Sequence, residues 1–553
     1  MTAEVTSTQE AQQIDNRPDA VVIGAGPGGY VAAIRLAQLG CKVIVVEKEA
    51  LGGVCLNWGC IPSKALIYAG TLYDKVRRAA DFGIIAEGLH VDAPKLQQWK
   101  EGVVKQLTGG IGQLFKSHGI ETVYGTASFL NPETLAVKLA DGSHRLLDAK
   151  HFLIATGSSP VGLPDKLSGF AFNGDTIVES KEALSWQSIP KSLIIIGAGV
   201  IGLELGTLFA KLGSQVTILE AAPALLPEID PDLTQVLRRS LKKQGITLHT
   251  GISLKQAQTN DGKVRVTLTL PVATEEKRES EKPDSAKINL EKTSDTTNES
   301  AQKTEPASKT NAPVTLEITA DKMLISVGRR PNTAGLGLEK AGVKLNEKGF
   351  ISVDEQLRSN VSHIFAVGDV TAPPLLAHKA SKEGLVAAAV IAGQNDALDY
   401  QAMPAAIFCD PEIATVGLTE AQARKQGYSV KVGKFPFAAS GRALTMNAPE
   451  GLVKLVSDAE TDRLLGAHMI GPEVAELLGE ATLAIEMGAT ADDMALTVHT
   501  HPTLPETLME AAEAIHGLAI HTMPTRLGNK GKSKSTEDKS PPAEKPETSS
   551  PIA

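Results

Sequence analysis

The 553-residue sequence predicts an α/β fold built on one βαβ unit used twice, and three observations carry that prediction. The first is length: at roughly 150 residues per domain, the chain divides into three or four domains. The second is composition, with 42% hydrophobic residues, 22% charged and 50 glycines, which supplies apolar surface for large cores and many tight turns. The third is an internal duplication. The stretches "DAVVIGAGPGGYVAAIRLAQLGCKVIVVEKE" and "SLIIIGAGVIGLELGTLFAKLGSQVTILEAA" both read as buried strand, glycine turn, helix and second strand.

In the first stretch a strand at residues 21–23 leads into Gly24, Gly26 and Gly29, a helix runs through Leu39, and a second strand ends at Glu47. In the second, Gly197, Gly199 and Gly202 open the helix and the strand ends at Glu220. The acidic residue lies 23 positions after the first glycine in both. A lone Gly-x-Gly-x-x-Gly recurs by chance in a glycine-rich chain. Here each copy follows a strand, opens a helix and precedes an acid that can hold a ribose hydroxyl, so both are expected to bind dinucleotides. The helix N-terminus would face the pyrophosphate. Glu220 can accept from a 2′-hydroxyl but would repel a 2′-phosphate, and "EAAPALLPEID" after it offers no arginine, which favours NAD over NADP.

Between the strand-like "KVRVTLTL" and "VTLEITADKMLISVG", residues 272–313 are mostly Glu, Lys, Ser and Thr with no aromatic, and are expected to be a disordered insertion in a hairpin. Residues 1–17 and 528–553 read as solvated ends. A net charge of −9 without a basic cluster argues against nucleic acid. The N-terminal stretch lacks an apolar h-region and no apolar run reaches 18 residues, so neither secretion nor membrane insertion is expected. Four cysteines do not make a secreted disulphide scaffold, and the expected location is the reducing cytoplasm.

Two of those four, Cys55 and Cys60, fall in "GGVCLNWGCIPSK", just after the strand ending at Glu47. That places them beside the first nucleotide. Their spacing is not a usual zinc pattern and no second Cys/His pair lies nearby, so no metal is expected. If the intervening residues form the first turn of a helix, the sulphurs can approach bonding distance, and the helix N-terminus and Lys64 would favour a thiolate. The pair reads as a redox disulphide that exchanges with a substrate through a mixed disulphide.

Taken with "GAGPGGY", "ATGSSP", "GAGVIGLELG", "ISVGRRPNT", "IFAVGDVTAPPLLAHKA" and "HTHPTLPE", the sequence resembles the flavin-dependent pyridine nucleotide-disulphide oxidoreductases over roughly residues 18 to 527. The resemblance implies two Rossmann-like domains, for FAD and NAD, and an α+β C-terminal dimerisation domain. It divides the chain into an FAD-binding part at 18–165, an NAD-binding domain at 166–331, a return to the FAD-binding or central part at 332–400, and the dimerisation domain at 401–527. FAD would lie on Gly24, Gly26, Gly29 and Glu47, with Asp369 on the ribityl chain and Ala127, Thr156, Gly157 and Ala377 close by. Lys64 would lie near the flavin, paired with Glu204, while Ile252 and Gly328 would join the second turn around NAD.

The same resemblance makes His501 the base, oriented by Glu506 on its own segment, and brings it to the disulphide of the other subunit of a homodimer. The expected reaction oxidises a dihydrolipoyl dithiol: its thiolate attacks Cys55, Cys60 becomes the charge-transfer thiolate beside the flavin, and NAD+ is the final acceptor. The lipoyl group would arrive on a separate protein, from a 2-oxoacid dehydrogenase complex or a glycine cleavage H protein, because too few residues precede Asp19 for a carrier domain. His499 reads as structural, and Cys41, opening a strand, and Cys409 read as packed thiols. Glutathione reductase is the alternative within the family, though it usually carries an arginine pair after the second acid. Mercuric ion reductase needs a C-terminal cysteine pair that is absent after Cys409, and a soluble transhydrogenase would lack the first redox cysteine. A non-catalytic scaffold would have no reason to keep Cys55, Cys60, Lys64, His501 and Glu506 together. Trp58 departs from the small or aliphatic residues equally acceptable there.

Overall fold

The computed structural model describes residues 17–271 and 314–523. The expectations for the N-terminal stretch through residue 16, for 272–313 and for the tail from 524 onward lie outside the described residues. Strands of the three five-stranded sheets, and the helices named below, are numbered in chain order. The first sheet is parallel, in the order Ile364–Ala366 (β10), His151–Ile154 (β4), Ala20–Ile23 (β1), Val43–Glu47 (β2), Glu121–Tyr124 (β3). Apart from half-buried His151 at the start of β4, its central strands are buried throughout, which is why they read as continuous apolar runs without alternation. Helix α1 (Pro27–Gln38) covers one face and packs along α7 (Ala377–Ile391). A Cβ at Gly384 would lie 2.5 Å from the Gly28 carbonyl oxygen, so the two helices touch backbone to backbone.

The second sheet repeats the order of four strands, with Thr247–Thr250 (β8), Gln215–Glu220 (β7), Ser192–Ile196 (β6) and Lys322–Ile325 (β9), and ends on Ile177–Val178 (β5), which precedes them in the chain, again parallel. Helices α5 (Val200–Lys211) and α6 (Pro231–Lys243) belong to it. A three-stranded antiparallel sheet of Ser253–Asn260, Lys263–Thr269 and Thr315–Ala320 joins this unit, with Thr269 opposite Thr315. Residues 272–313 thus connect two hydrogen-bonded neighbours.

Between the two units a helical stretch carries the cysteines: α2 (Gly53–Trp58), α3 (Cys60–Arg77) and α4 (Ala93–Ser117), the last capped by Asp92, which accepts from the Lys95 amide. Helix α3 leans on α5 through Gly70, where a Cβ would meet the Leu208 side chain at 2.9 Å. One detail departs from the sequence reading: Cys41 precedes its strand by two residues, its amide closing α1 on the Leu36 carbonyl.

The C-terminal region is an antiparallel sheet in the order Ala405–Ile407 (β11), Glu412–Gly417 (β12), Leu464–Gly471 (β15), Leu452–Asp458 (β14), Val430–Pro436 (β13). Helices α8 (Val474–Glu486), α9 (Ala491–Leu496) and α10 (Glu506–Ile515) pack around it. Helix α10 lies so close to β13 that a Cβ at Gly433 would sit 1.9 Å from the Ala511 carbonyl oxygen. Buried Lys454 on β14 reaches Asp230 at 2.8 Å, Asp232 at 2.9 Å and Glu420 at 3.1 Å, tying the start of α6 to this sheet. Burial opposes the charge, but the carboxylates prevail and raise its pKa, so the ammonium persists. Among the described residues no helix is long and apolar enough to cross a membrane.

Candidate active site

The two glycine turns are built alike. Gly24 has φ +100° and Gly197 φ +102°, and a Cβ on either would lie 2.5 Å from a backbone oxygen, of Ala155 or Ser326. A Cβ on Gly29 would lie 1.9 Å from the Gly24 oxygen, and one on Gly202 2.0 Å from the Gly197 oxygen. The middle glycines, Gly26 and Gly199, face open space and cap α1 and α5 with no side-chain hydrogen bond. The first-turn amides are therefore left for an anion. Glu47 accepts from the Ala25 and Glu49 amides at 2.8 Å each, and Glu220 from Ala198 at 2.8 Å and Ala222 at 2.7 Å. Each carboxylate is pinned at its strand end beside the turn. Both turns fit a dinucleotide.

Beside the second turn lies a 480 Å³ cavity, lined by Gly197, Gly199, Glu220, Ile252, Gly328 and Arg329 among others. Ile252 and Gly328, which the resemblance alone had singled out, thus share one space with Glu220. Around the first turn, Gly157 has φ +70°, the Thr156 hydroxyl donates to the Asn332 carbonyl at 2.8 Å, and Ala377 opens α7, whose N-terminus also lacks a side-chain cap. Ala127 is a core residue of the strand Thr126–Asn131, its side chain buried.

The cysteines are not bridged by a continuous helical turn. Helix α2 ends at Trp58 and Cys60 is the first residue of α3, because the chain breaks at Gly59, where a Cβ would lie 2.8 Å from the Val54 carbonyl oxygen. Only glycine permits the fold-back that returns Cys60 to Cys55. In the dithiol form the thiols differ sharply. Cys60 is drawn down to about 7 by its hydrogen bond with Cys55 and by Lys64, against the effect of burial. Cys55 is pushed far above the usual thiol range by the same hydrogen bond and by burial. Trp58, between them, lies under the Lys181 ammonium, 4.2 Å from its ring centroid.

Lys64, one turn into α3, pairs with both oxygens of Glu204 on α5, at 2.9 and 2.8 Å. Glu204 is buried and also accepts from the Phe408 amide at 3.0 Å, while the Phe408 ring lies 4.7 Å from the ammonium. One ion pair thus joins the cysteine helix, the second unit and the C-terminal region. Asp369 accepts from the Ser158 hydroxyl at 2.5 Å, and that hydroxyl accepts from Arg329 Nε at 2.7 Å. The turn carrying Asp369 is held by buried Glu383, which accepts from the Gly368 amide at 2.6 Å and pairs with Lys379 at 2.6 Å. No role was given from sequence to Phe408, Ser158, Arg329, Lys379 or Glu383; Ser158, Arg329 and Lys379 stood inside "ATGSSP", "ISVGRRPNT" and "IFAVGDVTAPPLLAHKA", but nothing in spacing marks their partners.

His501 lies between α9 and α10, 78% exposed, with Nδ1 2.8 Å from Glu506 Oε1. The other Glu506 oxygen accepts from the Thr503 amide at 2.7 Å. Burial works to raise the Glu506 carboxyl, but that amide and the imidazole outweigh it and hold the carboxyl below its ordinary range. The carboxylate therefore fixes the ring with Nε2 turned outward. The group of metal-ligand composition found among the described residues, Asp462, Asp492 and His516, ties the β14–β15 turn to α9 and the end of α10, apart from the cysteines in the fold.

Two nucleotide turns, a cysteine pair of unequal acidity and an oriented histidine define a nucleotide-dependent disulphide oxidoreductase. Comparison with known proteins agrees: residues 18–384 match the pyridine nucleotide-disulphide oxidoreductase model and residues 403–512 that family's dimerisation domain, and the chain belongs to this family. It is 47% identical over 506 residues to a dihydrolipoyl dehydrogenase of Thermus scotoductus, covering 91% of this chain and 99% of that one. Identity to the dihydrolipoyl dehydrogenase of Geobacillus stearothermophilus is 45% over 503 residues, covering 91% and 97%. Among solved structures it resembles the HOCl-induced flavoprotein disulfide reductase RclA of Escherichia coli, with a TM-score of 0.73, 27% identity, and 89% and 99% of the two chains covered.

Proposed function

We propose that this chain is a dihydrolipoyl dehydrogenase that reoxidises protein-bound dihydrolipoyl groups, with FAD as resident cofactor and NAD+ as acceptor. The observation that carries the reading is the cysteine pair at the α2–α3 junction, held beside the first nucleotide turn and the Lys64–Glu204 ion pair, in a chain 47% identical to an enzyme of that name. His501 Nε2 takes the proton of a substrate thiol. The substrate thiolate attacks Cys55, the Cys55–Cys60 bond breaks, and Cys60 leaves as thiolate, because the sulphur of lower pKa is the better leaving group. The second substrate thiol attacks its own mixed-disulphide sulphur and its proton passes to Cys55, which is expelled as the thiol as the lipoyl disulphide closes. Two electrons and two protons have then left the substrate.

FAD, when bound, supplies a two-electron acceptor for the Cys60 thiolate and hydride for NAD+. Gly24, Gly26, Gly29 and Glu47 would hold it, with Asp369 and the Thr156–Gly157 turn. Gly197, Gly199, Gly202, Glu220, Ile252 and Gly328 would hold NAD, the fixed Glu220 carboxylate excluding a 2′-phosphate. The working form is a homodimer in which His501 serves the partner's cysteines. Leu483, Met487, Leu496 and Val498 are 63–95% exposed on α8, α9 and the His501 segment, an apolar surface suited to a second copy. The further partner is a lipoyl-bearing protein, and the location is the cytoplasm, where the thiols of Cys41 and Cys409 stay reduced.

The test is an anaerobic titration of the yellow protein with dihydrolipoamide, followed by NAD+. A long-wavelength absorption band that decays as NADH forms supports the assignment. Reduction by NADPH but not by dihydrolipoamide would move the protein to the glutathione reductase branch.

A further inference from the structure

The sequence marks His499 as a structural histidine, two residues ahead of the base. The structure gives it an unusual set of partners. Its side chain is 5% exposed, with Nδ1 2.8 Å from the Thr497 carbonyl oxygen and Nε2 2.8 Å from Glu480 Oε1 on α8. A carbonyl oxygen and a carboxylate oxygen only accept. A neutral imidazole carries one N–H, so both hydrogen bonds form together only when both ring nitrogens are protonated. Glu480 is 36% exposed and stays solvated enough to remain the anion of the pair.

We propose that His499 is a positioning residue: an imidazolium clamped between the Thr497 carbonyl and Glu480, which anchors the His501 segment to α8 and places a fixed positive charge beside the Glu506–His501 pair. The inference rests on His501 being the base. Thr497, the clamped residue, directly follows α9, and Glu506, the residue that orients His501, opens α10. The loop between these helices is thus tied at one end by His499 and at the other by Glu506. Among the described residues, the charged groups facing this imidazole are Glu480 from α8 and Glu506 from α10, with His501 on its own segment. A cation there helps to keep Glu506 ionised, and so preserves the acceptor that orients the His501 ring.

The experiment uses the FAD-loaded, full-length protein as wild type, His499→Gln, Glu480→Gln and His501→Gln. NADH-to-dye activity, which bypasses the dithiol half-reaction, checks that each variant is folded and loaded. Imidazole nitrogen resonances are recorded against pH, with His499 assigned by its loss in His499→Gln. The expected result is a His499 ring with both nitrogens protonated in the wild type and with only one protonated, at the same pH, in Glu480→Gln. In His499→Gln, kcat for dihydrolipoamide should fall about tenfold with KM little changed, the split expected when a base loses its placement but the substrate site is intact. A singly protonated His499 ring in the wild type, or an unchanged kcat in His499→Gln, overturns the proposal. An active His501→Gln instead sinks the reading of the base, whatever the resonances show.

Discussion

After Glu47 the chain turns directly into α2 and presents Cys55 and Cys60; after Glu220 it runs through a loop to α6, and the space beside the turn is a 480 Å³ cavity. Up to those two glutamates the units match in strand order, glycine contacts and the pair of amides each carboxylate holds. The difference teaches that the repeat supplies nucleotide recognition while the short segment after it decides what the nucleotide does. Where reactive sulphurs follow, the unit gains chemistry of its own. Where they do not, it stays a docking place for a diffusible partner, tied to the first by Lys64 and Glu204.

Removing the sulphurs tests that division most severely. Cys60→Ser or Cys55→Ser should lower dihydrolipoamide turnover by on the order of 10⁴ or more, since the two thiols act as one unit. NADH-to-dye activity should persist in both. Dihydrolipoamide turnover surviving in Cys60→Ser would place the chemistry elsewhere.

A matched pair of glycine substitutions separates the two turns. Gly24→Ala forces a Cβ onto the Ala155 carbonyl at a φ that L residues avoid, and the purified protein should be colourless or nearly so. Gly197→Ala makes the same clash with Ser326, yet it should leave the protein yellow and raise KM for NAD+ about tenfold, roughly 1.4 kcal/mol of lost binding. Absorption spectra and initial rates read both outcomes. Equal flavin loss in the two variants would erase the distinction between the units.

The mildest test is pH. With the Cys60 thiol at about 7, the thiolate band of the two-electron-reduced protein should be full above that value and fade as pH falls through it. Lys64 lowers that thiol, so Lys64→Met should move the midpoint upward. An unmoved midpoint would assign the acidity of Cys60 to its hydrogen bond with Cys55 alone.

Much of this was readable without coordinates, for a physical reason. Glycines that need positive φ or backbone contact, and acids pinned at strand ends, are local requirements, so Gly24, Glu47, Gly197 and Glu220 stand out from spacing alone. Pairs that close through space leave no such mark. The Lys64–Glu204 bond spans 140 positions and Arg329 reaches Ser158 across 171; only family resemblance supplied the first, and nothing supplied the second. The helix break at Gly59 was missed because a glycine between two cysteines does not reveal that Val54 lies behind it. His499 was read as bland because sequence shows a histidine's neighbours along the chain, while its decisive partner, Glu480, sits on another helix.

The hairpin of the second unit holds a practical opportunity. Thr269 and Thr315 are paired across the strands, and the Leu270 amide donates to the Val314 carbonyl at 2.9 Å, so the chain departs and returns through adjacent points at one end of a hydrogen-bonded strand pair. To the folded enzyme, that junction is a socket. A reporter or affinity module whose own ends lie a strand spacing apart, about 5 Å, can be spliced there without moving either strand.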